Sequence, residues 1–463
     1  MKKILFIAGF LCLVTGLFAQ EEKGFHLSEQ ITVDSIFLSG NKYTKDKILY
    51  REMSVAPGQQ IPADSLQEIL LLNRRRLYTT ALFTDVQVTA DTVDANHIHL
   101  HVAVKERWQI LPEFTFQFAD RNFNVWWTEQ NRDIARSVIG LSLTHQNFRG
   151  NRERLGVATK FGYGREFALH YSKPFIDKKQ QIGMGFEAGV YDNKELFYTT
   201  DSNKWKFIHH KDRPMIRRSW ATVQLSYRPA YASTHYFRIG YKHNRVDDTI
   251  LKLNPEYYLN GSNRLNYLEL SYRLDYNKVD NWAYPMIGTK MVANIFTDIG
   301  FQGMEFYTYA TLEAGKYNRL ASRWYSSFIG RAKLSFPSNQ PYISRQALGT
   351  KYEYVRGYEL YVIDGYQYGL LRGNLKYELF HFSLRNIRFK YLPVIPVRVY
   401  PKLFADGGYV WNPTPGNSFL NNRALYSFGA GFDIFTAYDF KIRVEYAINH
   451  LGQKGLFLHF NAE

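Results

Sequence analysis

The chain has 463 residues, with 58 Lys and Arg against 42 Asp and Glu for a net charge of +16, and 17% of its side chains are aromatic (35 Tyr, 34 Phe). Beyond its first residues it has no run of ~18 uncharged apolar residues, which excludes spanning helices. If it crosses a membrane it must do so as a closed sheet, because lipid leaves an open strand edge unsatisfied, and the aromatic richness suits girdles at both interfaces of such a barrel.

Residues 1–19 read as a secretory signal, with basic Lys2 and Lys3, an apolar stretch from Ile4 to Leu17, and Ala19 as cleavage position before Gln20. The single cysteine, Cys12, falls inside it, so the mature chain is expected to have neither disulfide nor thiol chemistry. Residues 20–29 read as a linker. From Gln20 to Arg107 there are 10 basic and 12 acidic residues. The +2 of the signal and the −2 of this stretch cancel, so the remainder carries the whole +16. A cationic lumen, or a face for anionic lipid, accounts for that charge better than nucleic acid, which a secreted chain does not normally meet.

Residues 30–107 show the order strand, helix, helix, strand, strand. Gln30–Leu38 alternates apolar residues and ends in Ser39-Gly40-Asn41. Thr44 is placed to cap a helix over Lys45–Met53, broken by Pro57-Gly58. Asp64 is placed to cap a second helix over Ser65–Tyr78, where Leu66, Ile69, Leu70, Asn73 and Leu77 recur at helical spacing. Val86 and Val88 mark one strand; Ile98, Leu100, Val102 and Val104 mark another, with His97, His99 and His101 on its opposite face. Alternate strand residues lie roughly 7 Å apart, so two of these histidines could share an ion but not three, and no acid or cysteine of the strand completes a site. A solvated polar face is the better reading, and no cofactor is expected. The stretch resembles a POTRA domain, on Ile36 to Asn41, the helix start at Thr44, Pro57-Gly58, Leu77 to Phe83, and Val102 to Glu106. The resemblance implies handling of unfolded chains through a free edge strand.

From residue 108 to 463 there are sixteen runs with period-2 alternation, the weak signature of membrane strands; fourteen or eighteen result if a hairpin is hidden or invented. The long connections, about 119–136, 192–216, 246–264, 337–368 and 412–423, all follow odd-numbered runs, and most connections after even-numbered runs are short, with Asn277 to Met286 and Ser383 to Pro396 as exceptions. This is the outer-membrane pattern of short turns on one side and long loops on the other. The expected fold is therefore a mainly β chain: a 16-stranded antiparallel transmembrane barrel behind one α+β domain.

The 337–368 connection contains Tyr354-Val355-Arg356-Gly357-Tyr358 and is expected to fold back into the lumen. Parity along the following strand puts Leu371, Leu375, Tyr377 and Leu379 toward lipid, and Arg372, Asn374, Lys376 and Glu378 inward. On the next strand Lys402, Phe404, Asp406 and Gly408 point inward. Arg356 is thus expected to meet Asp406 and Glu378, since a planar guanidinium holds two carboxylate oxygens at once. Val355-Arg356-Gly357-Tyr358 and Phe404-Ala405-Asp406-Gly407-Gly408 resemble the paired motifs of the BamA/TamA-type outer-membrane assembly and two-partner secretion barrels, also called the bacterial surface antigen family. Glu378 matches a strand acid of that family, whereas Phe380 stands where the family has an arginine. The resemblance implies a weak seam between the first strand (Trp108, Phe114, Phe116) and the last (Leu456, Leu458, Phe460), where a client strand is templated. It also implies an outer-membrane location with the N-terminal domain in the periplasm. The partners implied are unfolded outer-membrane or secreted client polypeptides, accessory periplasmic lipoproteins and outer-membrane lipids. A barrel enzyme is disfavoured, because the scattered histidines accompany no recognisable nucleophile motif. A non-catalytic envelope scaffold or passive channel of the same family is the alternative function.

Overall fold

The computed structural model describes residues 29–463 except 260, 282, 302–305, 351–352, 386–393, 437–440 and 461–463. The expected signal and the linker up to residue 28 lie outside the described residues. The chain forms two compact units, one built on residues up to Gln109, the other on Ile110–Phe148 and Glu153–Glu463.

In the first unit, β1 (Gln30–Ser39), α1 (Asp46–Glu52), β2 (Gln59–Pro62), α2 (Leu66–Thr79), β3 (Phe83–Thr92) and β4 (His97–Glu106) follow in order. The sheet order is β2-β1-β4-β3, with β1 and β4 parallel. Ile31, Val33, Ile98, Leu100 and Val102 of the sheet are fully buried, as are Ile48, Leu49 and Leu77 of the helices. Gly40 has φ +83, and a Cβ there would lie 1.9 Å from the Val104 carbonyl oxygen, so only glycine fits. Two cap assignments are corrected. Thr44 does not cap α1; its hydroxyl donates to Glu106 Oε1 at 2.6 Å, and Lys45 stands at the N-cap without a side-chain bond. Asp64 lies in a 3₁₀ turn, Ala63–Ser65, that starts α2 in place of a side-chain cap. The edge strand β2 carries too few residues to show a period and is an addition to the expected order.

The second unit begins with β5 (Ile110–Phe118), α3 (Phe123–Glu129), β6 (Ser137–Phe148), β7 (Glu153–Gly162), β8 (Gly164–Lys173) and β9 (Ile182–Asn193). A hairpin of β10 (Glu195–Asp201) and β11 (Lys204–His209) precedes β12 (Ile216–Ala230) and β13 (Ser233–Val246). Then come α4 (Asp248–Leu253), β14 (Arg264–Val279), β15 (Gly288–Gly300), β16 (Tyr307–Arg319) and β17 (Trp324–Phe336). Two short strands, β18 (Gln346–Leu348) and β19 (Ile363–Asp364), pair within the 337–368 connection. The chain ends with β20 (Gln367–Tyr377), β21 (Phe380–Arg385), β22 (Val394–Trp411), β23 (Ala424–Phe435), β24 (Lys441–Asn449) and β25 (Lys454–His459).

Seventeen of these strands form one curled antiparallel barrel sheet, in sixteen positions, because β20 and β21 both pair with the same flank of β22. Glu378 and Leu379 interrupt that position. Ladders of paired residues run along the wall from β5 to β9, from β9 to β12 and on to β25. The strand order closes where β25 stands next to β5.

The polarity is inside out. Along β24, Lys441, Arg443, Glu445 and Asn449 are buried, while Tyr446 is exposed on the outer face. Phe114, Phe328, Leu371, Leu403 and Leu456 are likewise exposed outward, as a lipid-facing wall requires.

Candidate functional site

The 337–368 connection turns into the barrel and brings its own small core. Ala347, Leu348, Val355, Tyr358 and Ile363 pack with Leu370, Val410, Leu420 and Leu425 of the wall and neighbouring loop. This anchors the backbone on both sides of Arg356, whose side chain is 0% exposed.

The guanidinium meets Asp406 with both carboxylate oxygens: Nε donates to Oδ2 at 2.8 Å and Nη2 donates to Oδ1. The Arg356 backbone N–H also donates to Oδ2, at 3.1 Å. Nη1 donates to Asn374 Oδ1 at 2.7 Å and to Glu445 Oε1 at 3.2 Å. The plane lies 4.0 Å from the centroid of the Phe404 ring, a cation–π contact that covers the remaining face. Lys402 Nζ then bridges Glu445 Oε1 and Asp433 Oδ1, each at 2.6 Å. Arg372, Arg443 and His459 lie within 3.8 Å of these acids. Strands β20, β22, β23 and β24 thus each contribute to one buried network of charges.

Gly357 takes φ +86, and a Cβ there would lie 3.3 Å from Ala447 and 3.5 Å from Asn449. Its N–H donates to Glu359 Oε2 at 2.8 Å, and its carbonyl accepts from Asn449 Nδ2 at 2.8 Å. Tyr358 bonds through its hydroxyl to His450 Nδ1, and Tyr354 bonds to His459 Nδ1 at 3.1 Å. Gly408 leaves room for Val355, since a Cβ there would come within 2.6 Å of that side chain.

Glu378 is a correction. It sits past the end of β20, where its Oε2 accepts from Tyr325 at 3.3 Å and its Oε1 lies 3.7 Å from His381. The strand breaks there, so parity counted through Glu378 no longer reports the lumen beside Arg356. Glu445 supplies the second acid. The sequence shows it by the same alternation used for β20 and β22, because Lys441, Arg443 and Glu445 share one face of β24 and Ile442, Val444 and Tyr446 share the other.

At the seam, Phe114, Phe116, Leu456 and Phe460 are exposed, and Leu458 is partly covered. Trp108 precedes β5 and lies outside the strand. Pro112 of β5 has no N–H to offer a neighbour. The helix α3 lies against β25, with the Asn124 side chain bonded to the Leu458 backbone.

The POTRA family, described as "Surface antigen variable number repeat", matches residues 31–107. Comparison with curated protein sequences gives no match. Among solved structures, BamA from Haemophilus ducreyi lacking POTRA domains 1–3 matches with 17% identity over 93% of this chain and 83% of that one, at a TM-score of 0.56. CdiB from Acinetobacter baumannii matches with 12% identity over 93% of this chain and 73% of that one, at a TM-score of 0.50. With its N-terminal domain and its inside-out antiparallel sheet, the chain is a POTRA-containing β-barrel with the fold of BamA and CdiB.

Proposed function

We propose that the chain is an outer-membrane barrel that handles client polypeptides, pairing them at the junction of β5 and β25 for insertion into the membrane or passage across it. The N-terminal domain lies in the periplasm and receives unfolded chains along a free sheet edge, where backbone hydrogen bonds need no fixed client sequence. The barrel's outer face lies against lipid. No nucleotide and no covalent step is needed, because the exchange of strand pairings is nearly balanced and burial of the client's apolar face as it folds supplies the free energy.

The observation that carries this reading is the contrast within one sheet. Paired-residue ladders run along the wall, whereas at the β25–β5 junction that closes the strand order the Leu458 backbone bonds to the Asn124 side chain, and the loop beside it is held by a buried ion network. In this reading the Arg356 network fixes the loop and wall, so that opening is confined to the seam. The same fold in BamA and CdiB supports it.

The reading is tested with a photo-cross-linking amino acid at Leu456 in growing cells. Cross-links to exported polypeptides during their synthesis are expected. Adducts only with lipid or with the chain's own first strand would contradict the reading.

A further inference from the structure

The flank of β25 that faces away from β24 is occupied at Leu458. Leu458 N–H donates to Asn124 Oδ1 at 3.0 Å, and Asn124 Nδ2 donates to Leu458 O at 3.3 Å. One side-chain amide therefore satisfies both backbone groups that Leu458 turns away from β24, as a paired strand residue would. Antiparallel alternation turns the same groups of Leu456 toward that edge.

The residues around Asn124 fix it there. Phe123 lies 5.7 Å from the Phe460 ring, and Trp126 stacks on Phe118 of β5 at 3.8 Å. The stretch before the helix is tied to the inserted loop. Arg121 Nη1 donates to the carbonyls of Gly349, Glu359 and Tyr361 at 3.0, 2.7 and 3.0 Å, and Asn122 Nδ2 donates to Glu359 O at 2.8 Å. Glu359 in turn takes the Gly357 N–H, one residue from Arg356. An apolar pocket of about 720 Å³, open on one side, lies between α3 and β25 and is lined by Phe123, Trp127, Leu360 and Leu456 among others, which leaves space beside the helix.

We propose that Asn124 is a removable cap on the edge of the last strand, held by the inserted loop, and that a client strand gains the seam only by displacing it. The proposal rests on the seam reading above and adds to it an autoinhibitory contact. It couples the two sites: movement of the Arg356 loop withdraws the Glu359 and Tyr361 carbonyls from Arg121 and Asn122 and frees the cap.

The test uses the purified full chain in detergent micelles and a fluorescein-labelled peptide with the β24 sequence, Lys441–Asn449, which already pairs antiparallel with β25 through its other edge. Asn124→Ala is expected to speed amide exchange at Leu458 and tighten peptide binding, each about tenfold, from the loss of two competing hydrogen bonds of ordinary net strength. Asn124→Asp, which lacks the amide donor and repels the Leu458 carbonyl, is expected to behave alike. Residues 20–463 contain no cysteine, so in the chain freed of residues 1–19 an Asn124→Cys, Leu458→Cys pair can be oxidised without a competing thiol; it is expected to block the peptide until reduced. Equal affinity in the wild type, both single variants and the oxidised pair overturns the cap and leaves the strand-accepting seam standing. No binding by any form, with Leu458 exchange accelerated in Asn124→Ala, refutes the seam as a strand acceptor, and the autoinhibitory role with it.

Discussion

Replacing Arg356 with alanine removes a guanidinium that is 0% exposed and engages two carboxylates, one amide and one ring. Breaking a buried ion pair from one side costs about 3–5 kcal/mol. Here the acids keep other partners. Glu445 retains Lys402 at 2.6 Å, and Asp406 retains the backbone N–H of residue 356 at 3.1 Å and Arg372 at 3.7 Å. The expected loss is therefore at the lower end, about 3 kcal/mol, and falls mainly on Asp406. Asp406→Ala is expected to cost about the same, since Arg356 keeps Glu445 and Asn374. The double variant should cost much less than the sum of the two, with a coupling of about 2 kcal/mol. Equilibrium unfolding in urea in detergent micelles measures the cycle, and heat-modifiability on semi-native gels gives a second readout. Single-variant losses below about 1 kcal/mol that add in the double variant would refute the reasoning, because the pair would then contribute no more than an exposed one.

Gly357→Ala is expected to destabilise by about 1–2 kcal/mol, from the left-handed backbone and the crowding by Ala447 and Asn449, read from the same urea curves. Glu378→Gln should lie within about 0.5 kcal/mol of wild type, because its contacts are a 3.3 Å bond to Tyr325 and a 3.7 Å approach to His381. Asn73→Leu in α2 leaves the Ser54 N–H without its 2.6 Å acceptor and should cost about 1–3 kcal/mol in the N-terminal domain, measured by amide exchange there. The hydrogen bond that the His97 imidazole donates to the Asp94 carboxylate raises the His97 pKa above its ordinary 6.5. That contribution is fully present below 6.5 and is lost as pH rises through the higher folded value. Bonds from the Asn96 backbone and then from His97 lower the Asp94 pKa, a contribution present above its ordinary 3.8 and lost as pH falls through the lower folded value. Histidine-selective NMR titration should show His97 moving toward 6.5 in Asp94→Asn.

What the sequence made legible follows from the period-2 pattern. Membrane strands alternate because one face meets lipid and the other the lumen, so Leu371 and Leu403 separate from Arg372 and Asp406 by parity alone. The same rule misplaces Glu378, because parity holds only while the strand is unbroken, and the break after Tyr377 has no local mark. Glu445 was within reach of the rule, since Arg443 and Glu445 share a face. Asn124 was not. Nothing in Phe123–Glu129 tells that its amide reaches the last strand, because that contact spans 334 positions of sequence. Thr44 leaves the cap of α1 for a related reason: Glu106, distant in sequence, offers its hydroxyl a stronger charge-assisted bond than the backbone of α1.

The proposed role of this barrel is passage of client polypeptides through its seam under control of the Arg356 loop. The most direct measurement is quantitative proteomics of the outer membrane and the secreted fraction after depletion of the chain, with wild type or Arg356→Ala supplied back. Loss of barrel proteins or of an exported polypeptide, restored by wild type and not by Arg356→Ala present at equal level in the membrane, is the predicted result. Unchanged proteomes on depletion, or full rescue by Arg356→Ala, would contradict it.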